Sequence, residues 1–122
     1  NSPHELDEKY LNFFRHLEYF IELEDYIIVH GGLNFELGDP FSDKFSMVWI
    51  RNRYVDKSKI GGKRIIVGHT PLSIEDVESS LNEDRIMLDG GCVYKNRHPG
   101  MGYLCALELN TFNLTCQENV DF

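Results

Sequence analysis

Apolar positions along the chain change period several times, and each change marks an element. Leu6, Tyr10, Phe13, Phe14 and Leu17 recur at helical spacing, which predicts an amphipathic helix near the start. Ser2 is placed to cap it, Pro3 suits its first turn, and Glu5 closes a capping box. Tyr19, Ile21 and Leu23 then alternate with polar residues, as in a half-buried strand. A turn at Glu24-Asp25 would lead into YIIV (26–29), making a hairpin.

NFELGDPFSD has loop composition, and Ser42 or Asp43 can cap a second helix over 44–55, KFSMVWIRNRYV. Met47, Ile50 and Tyr54 mark its apolar side. KSKIGG predicts a turn before RIIV (64–67), and Ser73 is placed to cap a short helix within PLSIEDVESSL. RIML, YLCALEL and FNLTC predict three more strands, the last two joined near Asn110. Helices early and strands crowded late point to a mixed α/β layered domain rather than an all-parallel one.

Composition narrows the function classes. At 122 residues the chain is one domain or part of one, and 42% hydrophobic content is enough for a real core. A net charge of −8 disfavours an electrostatic grip on nucleic acid or on an anionic membrane. No apolar run approaches the ~18–20 residues of a membrane span, and the polar N-terminus does not resemble a signal peptide. Cys92, Cys105 and Cys116 are odd in number and contain no CxxC pair, so neither a zinc knuckle nor a disulfide framework is expected. Thiols of this kind suit a reducing cytoplasm. The missing initiator methionine suggests a chain that begins partway through a longer product.

Chemistry concentrates at three strand ends. YIIV is followed by His30-Gly31-Gly32, RIIV by Gly68-His69-Thr70, and IML, within RIML, by Asp89-Gly90-Gly91 after Leu88. Ligand sites in α/β sheets gather at the C-terminal ends of strands, and two imidazoles with a carboxylate there could hold zinc, manganese or iron. Each histidine taken singly also fits a hydrogen-bonded turn residue, and Asp89 fits a turn cap or a group that orients a histidine. Arg51 adds a planar fork of donors that matches a phosphate, whereas Arg53 fits a solvated surface. His4 and His16 fall in the first helix as structural residues, and His98 lies in a loop.

Four stretches, "YIIVHGGL", "VWIRNRY", "IIVGHTPL" and "IMLDGGCVY", occur in the order and approximate spacing found in the back half of calcineurin-like metallophosphoesterases. The likeness is greatest to the bacterial and phage serine/threonine protein phosphatases, and it covers nearly the whole chain. It implies a layered mixed β-sheet sandwich flanked by helices, of which only the C-terminal portion is present. It also implies two divalent metal ions (Mn, Fe or Zn) in the complete enzyme, with His30 and His69 ligating one of them. Arg51 would bind the substrate phosphate, and Asp89 to Val93, DGGCV, would match the family's DTGCV stretch.

Two departures show: Gly31 where the family more often has Ala, and Gly90 where it has Thr. The DxH, GDxxDRG and GNHD/GNHE motifs of the family's front half do not occur, so the chain by itself is expected to be inactive. The expected partner is a phosphorylated protein or small phosphoester, with self-association through exposed sheet edges. Dinucleoside polyphosphate hydrolysis is an alternative, to be told apart at the Tyr94–Gly102 loop. A non-catalytic interaction module on the same fold is another.

Overall fold

The β-branched runs become strands, as their pattern predicts. The computed structural model describes residues 5–121. Helix α1 (Glu8–Arg15) is followed by β1 (Phe20–Glu22) and β2 (Tyr26–Val29), which pair antiparallel as the expected hairpin. Helix α2 (Lys44–Trp49), β3 (Arg64–Val67), α3 (Ile74–Ser80) and β4 (Arg85–Met87) come next, and β5 (Tyr103–Glu108) and β6 (Asn113–Glu118) close the chain. The first four strands form a mixed sheet in sequence order, with β2, β3 and β4 parallel. The last two form a separate antiparallel sheet. The fold is therefore mixed α/β, with a four-stranded mixed sheet, a two-stranded antiparallel sheet and helices.

The core lies on one face of the larger sheet. Ile27, Val29, Ile65 and Val67 pack there with Leu33, Phe35, Met47, Leu72 and Val77. Parallel strands buried in this way read as continuous apolar runs, which is why YIIV and RIIV were legible. Ser80 Oγ ties α3 to β4: it accepts from Met87 N at 2.9 Å and donates to Val77 O at 2.7 Å. Ser73 caps α3 through a 3.2 Å bond from Asp76 N, as predicted. Across the β5–β6 hairpin Cys105 faces Cys116 with the two sulfurs 3.3 Å apart, both as free thiols. Burial and the Cys116 neighbour push the Cys105 thiol up to about 12, so it stays protonated near neutrality.

Three expectations need correction. The second helix does not run to residue 55. It stops at Trp49, because Ile50 is extended and Gly31 N–H takes the Met47 carbonyl at 2.7 Å. Residues 51–56 are irregular and Tyr54 is exposed, resting edge-on against Phe35 rather than lying on a buried helical face. The first helix begins at Glu8 with Asp7 as its cap, accepting from Lys9 N at 3.0 Å. The capping box expected at Ser2, Pro3 and Glu5 also involves residues 1–4, which lie outside the described residues. Finally, Tyr10, Phe13 and Phe14 of the expected stripe are helical, with Leu6 and Leu17 outside the helix, and the stripe is uncovered: the helix buries none of its residues, and Phe13 is 63% exposed. Periodicity specifies an apolar face and says nothing of what packs on it.

Candidate functional site

β2 and β3 are neighbouring parallel strands in register, Ile28 beside Ile66, so the residues that follow them leave the sheet side by side. Gly68 N–H donates to His30 O at 2.9 Å and holds the two strand ends together just past the last paired residues. Thr70 N–H then donates to Gly68 O at 2.7 Å, closing a three-residue turn centred on His69. His69 has φ +68°, a conformation that is uncommon for a side chain larger than glycine and strained in a turn this tight. Strain of this kind gathers at functional sites. Its effect here is to turn the His69 ring back toward β2.

The two imidazoles meet. His30 Nε2 lies 3.0 Å from His69 Nδ1, and the ring centroids are 4.8 Å apart. Arg51 Nε donates to the other ring nitrogen, His69 Nε2, at 3.3 Å. Because the guanidinium can only donate, His69 Nε2 is an acceptor. In the neutral ring the proton then sits on Nδ1 and is given to His30 Nε2. Burial and the neighbouring His69 ring hold the His30 imidazole below its usual pKa, against the opposing pull of the Asp89 carboxylate.

The three sequence-derived candidates for direct contact, His30, His69 and Arg51, are thus brought together. Asp89 sits behind them. Its Oδ1 accepts from Gly91 N–H at 3.0 Å as a turn cap, and its charge reaches His30 through space. Arg53 is exposed, as expected of a solvated residue. Among the described residues no group of three or more His, Cys, Asp or Glu side chains could hold a metal ion.

Glycines let the pieces approach. A Cβ on Gly31 would stand 3.0–3.1 Å from the carbonyls of Met47, Val48 and Ile50, so this residue seats the end of α2 against the strand end. That seating delivers Arg51 to His69. Beneath the site, an open and largely apolar groove of about 420 Å³ runs between the second face of the larger sheet and β5, lined by Ile28, Ile66, Leu88 and Leu104. His30 and His69 stand on its rim.

Sequence reasoning passed over two neighbours. Trp49 meets His69 edge-on at 6.0 Å, and Phe45 lies 6.4 Å from Trp49. The available signal was that both are large apolar residues, four apart, lying off the Met47 stripe of the same segment. Comparison with models of protein families, with curated proteins and with solved structures gave no match.

Proposed function

We propose that this chain is a C-terminal part of a calcineurin-like metallophosphoesterase domain, of layered-sandwich fold, whose complete site hydrolyses phosphate esters in the manner of serine/threonine protein phosphatases. The observation that carries this reading is the convergence of His30 Nε2, His69 Nδ1 and Arg51 Nε at two neighbouring strand ends. The donor set fits a shared cation: two imidazole nitrogens 3.0 Å apart at neighbouring strand ends would both be within reach of one ion. Imidazole nitrogen suits zinc, iron and manganese alike. A pair of ions bound there would activate water and polarise the phosphoryl group at neutral pH.

The chain's own residues have separable tasks. His30 and His69 would hold one ion by nitrogens placed just past the ends of β2 and β3. An ion on Nδ1 would move the His69 proton to Nε2, so Arg51 would release the hydrogen bond it makes there and turn its guanidinium to phosphate oxygens as a planar fork. Asp89 keeps negative charge near His30 without competing for the ligand position. The remaining metal ligands and a leaving-group acid belong to motifs this sequence does not contain.

The chain alone is therefore expected to bind a divalent ion and to hydrolyse no phosphate ester. Calorimetric titration with Mn²⁺ and Zn²⁺ tests the first part: His30→Ala and His69→Ala should each weaken binding at least about tenfold, on the order of 1.4 kcal/mol. Unchanged binding in both variants would remove the reading. Robust metal-dependent turnover of an aryl phosphate by the unaltered chain would instead overturn its incompleteness. Self-association through the open edge of β1 belongs to the same picture, and a strictly monomeric species in sedimentation at high concentration would argue against it.

A further inference from the structure

Only Met47 of α2 is fully buried, at 1% exposure. Phe45 and Trp49 lie on another face of the helix, at 73% and 60% exposure. Residues four apart on a helix are neighbours, and the two rings lie 6.4 Å apart at 35°. Large aromatic side chains left in solvent carry an unused apolar surface. The far end of this surface is the candidate site itself. The Trp49 ring meets the His69 ring at 6.0 Å and 81°, and His69 Nε2 carries Arg51. The aromatic shelf thus begins one ring away from the group that would hold a phosphate.

We infer that Phe45 and Trp49 form a subsite for a planar ring bonded directly to the ester oxygen of a phosphate held at Arg51, so that the site takes aryl phosphates, such as tyrosine phosphate, ahead of alkyl ones such as serine phosphate. The inference rests on the phosphate-binding part of the reading above, and it departs from a preference for serine and threonine phosphates. A ring attached at the ester oxygen stays within one ring's reach of the phosphate, where it meets Trp49 first and Phe45 beyond. Offset or edge-on contact with these rings adds to the attraction from burying apolar area. The short aliphatic stem of a serine phosphate offers neither ring an aromatic partner. A nucleoside 5′-phosphate carries its base beyond a sugar and so presents its ring farther out.

The chain reports on this site directly, because Trp49 is its sole tryptophan. The full chain, with and without Mn²⁺, is titrated with phenyl phosphate, phosphotyrosine, phosphoserine, adenosine 5′-monophosphate and inorganic phosphate. Binding is followed by Trp49 emission and by calorimetry. The aryl phosphates should quench Trp49 saturably and bind at least about tenfold tighter than phosphoserine, a difference of about 1.4 kcal/mol. Phe45→Ala should reduce that ratio to about threefold or less. Phe13→Ala, which removes a comparably exposed ring on α1, should leave it at tenfold.

Equal affinity for aryl and alkyl phosphates, with Arg51-dependent binding of inorganic phosphate, overturns the subsite and spares the phosphate reading. No binding of any phosphate overturns both. Adenosine 5′-monophosphate matching phosphotyrosine overturns the restriction to rings on the ester oxygen. Trp49 emission that shifts with protein concentration, in the absence of ligand, assigns the shelf to a second copy and overturns the proposal.

Discussion

Gly90 is the glycine at which an added Cβ would meet the nearest neighbouring atom. A Cβ built there would stand 2.6 Å from the Tyr103 carbonyl oxygen and 3.0 Å from Cys105 Sγ. The first contact is with backbone, so no side-chain rotation relieves it. Restoring an ordinary separation means moving the start of β5 by roughly half an ångström or more, an overpacking that costs about 1–3 kcal/mol. The same shift strains two hydrogen bonds accepted by Gly90 O, from Gly102 N at 3.0 Å and Tyr103 N at 3.1 Å, each worth about 1 kcal/mol. A total near 3 kcal/mol is therefore expected for Gly90→Ala, and more for the bulkier Gly90→Thr.

Unfolding entropy scales with length, so a chain of 122 residues has a ΔS of roughly 0.26 kcal/mol/K near 60 °C, and a loss of about 3 kcal/mol lowers Tm by about 12 °C. Urea unfolding followed by circular dichroism gives ΔΔG, and a thermal scan gives the shift. Gly38→Ala is the control. Nothing lies within 4 Å of a Cβ there, and the smaller backbone entropy of the unfolded chain should leave stability unchanged or higher by about 0.4–1 kcal/mol. A Gly90→Ala protein within 0.5 kcal/mol of the parent, or a Gly38→Ala protein equally destabilised, would refute this reasoning.

Other outcomes follow from the same contacts. Gly31→Ala forces the end of α2 back by a few tenths of an ångström from three carbonyls, so it should cost about 1 kcal/mol; because that segment carries Arg51, calorimetry should also show weaker phosphate binding, and unaltered binding would separate the two. Ser80→Ala leaves the buried Met87 N–H without its acceptor and should lower stability by about 1–3 kcal/mol in urea titration, whereas Ser79→Ala, on the exposed side of α3, should change little.

His30 has a pKa held below its unfolded value by burial and by His69, so the unfolded chain takes up its proton first as pH falls. Its contribution to stability is present above about pH 6.5 and is lost as pH drops through the lower folded value. NMR titration of the His30 ring should find its midpoint below that of an unfolded reference peptide, and a midpoint at or above it would contradict the assignment.

Much of the local structure was legible because its causes are local. Asp43 and Ser73 cap helices through bonds to residues three positions on, and those spacings can be read from the chain. The β1–β2 hairpin followed from alternation and a polar turn, and the buried parallel strands followed from their unbroken apolar runs. The histidines were legible as candidates because each sits beside glycine at the end of such a run. The end of α2 was not legible, since the group that takes its Met47 carbonyl is the N–H of Gly31, sixteen positions earlier in the chain. Nor was the aromatic shelf, because a helical stripe names the side that is apolar and is silent on a second apolar side left in solvent.

The amino-acid order by itself determined which segments are strand or helix, the caps of α2 and α3 at Asp43 and Ser73, and which side chains are candidates for a site. It did so because backbone propensity, side-chain periodicity and capping act over a few residues. Only the tertiary structure decided that residues 30 and 69, thirty-nine positions apart, share a hydrogen bond, and that Arg51 rather than Arg53 joins them. Those outcomes depend on strand register, on a left-handed turn at His69 and on how closely a glycine lets one segment approach another. Such quantities are set by packing between distant parts of the chain, and no short window of sequence contains them.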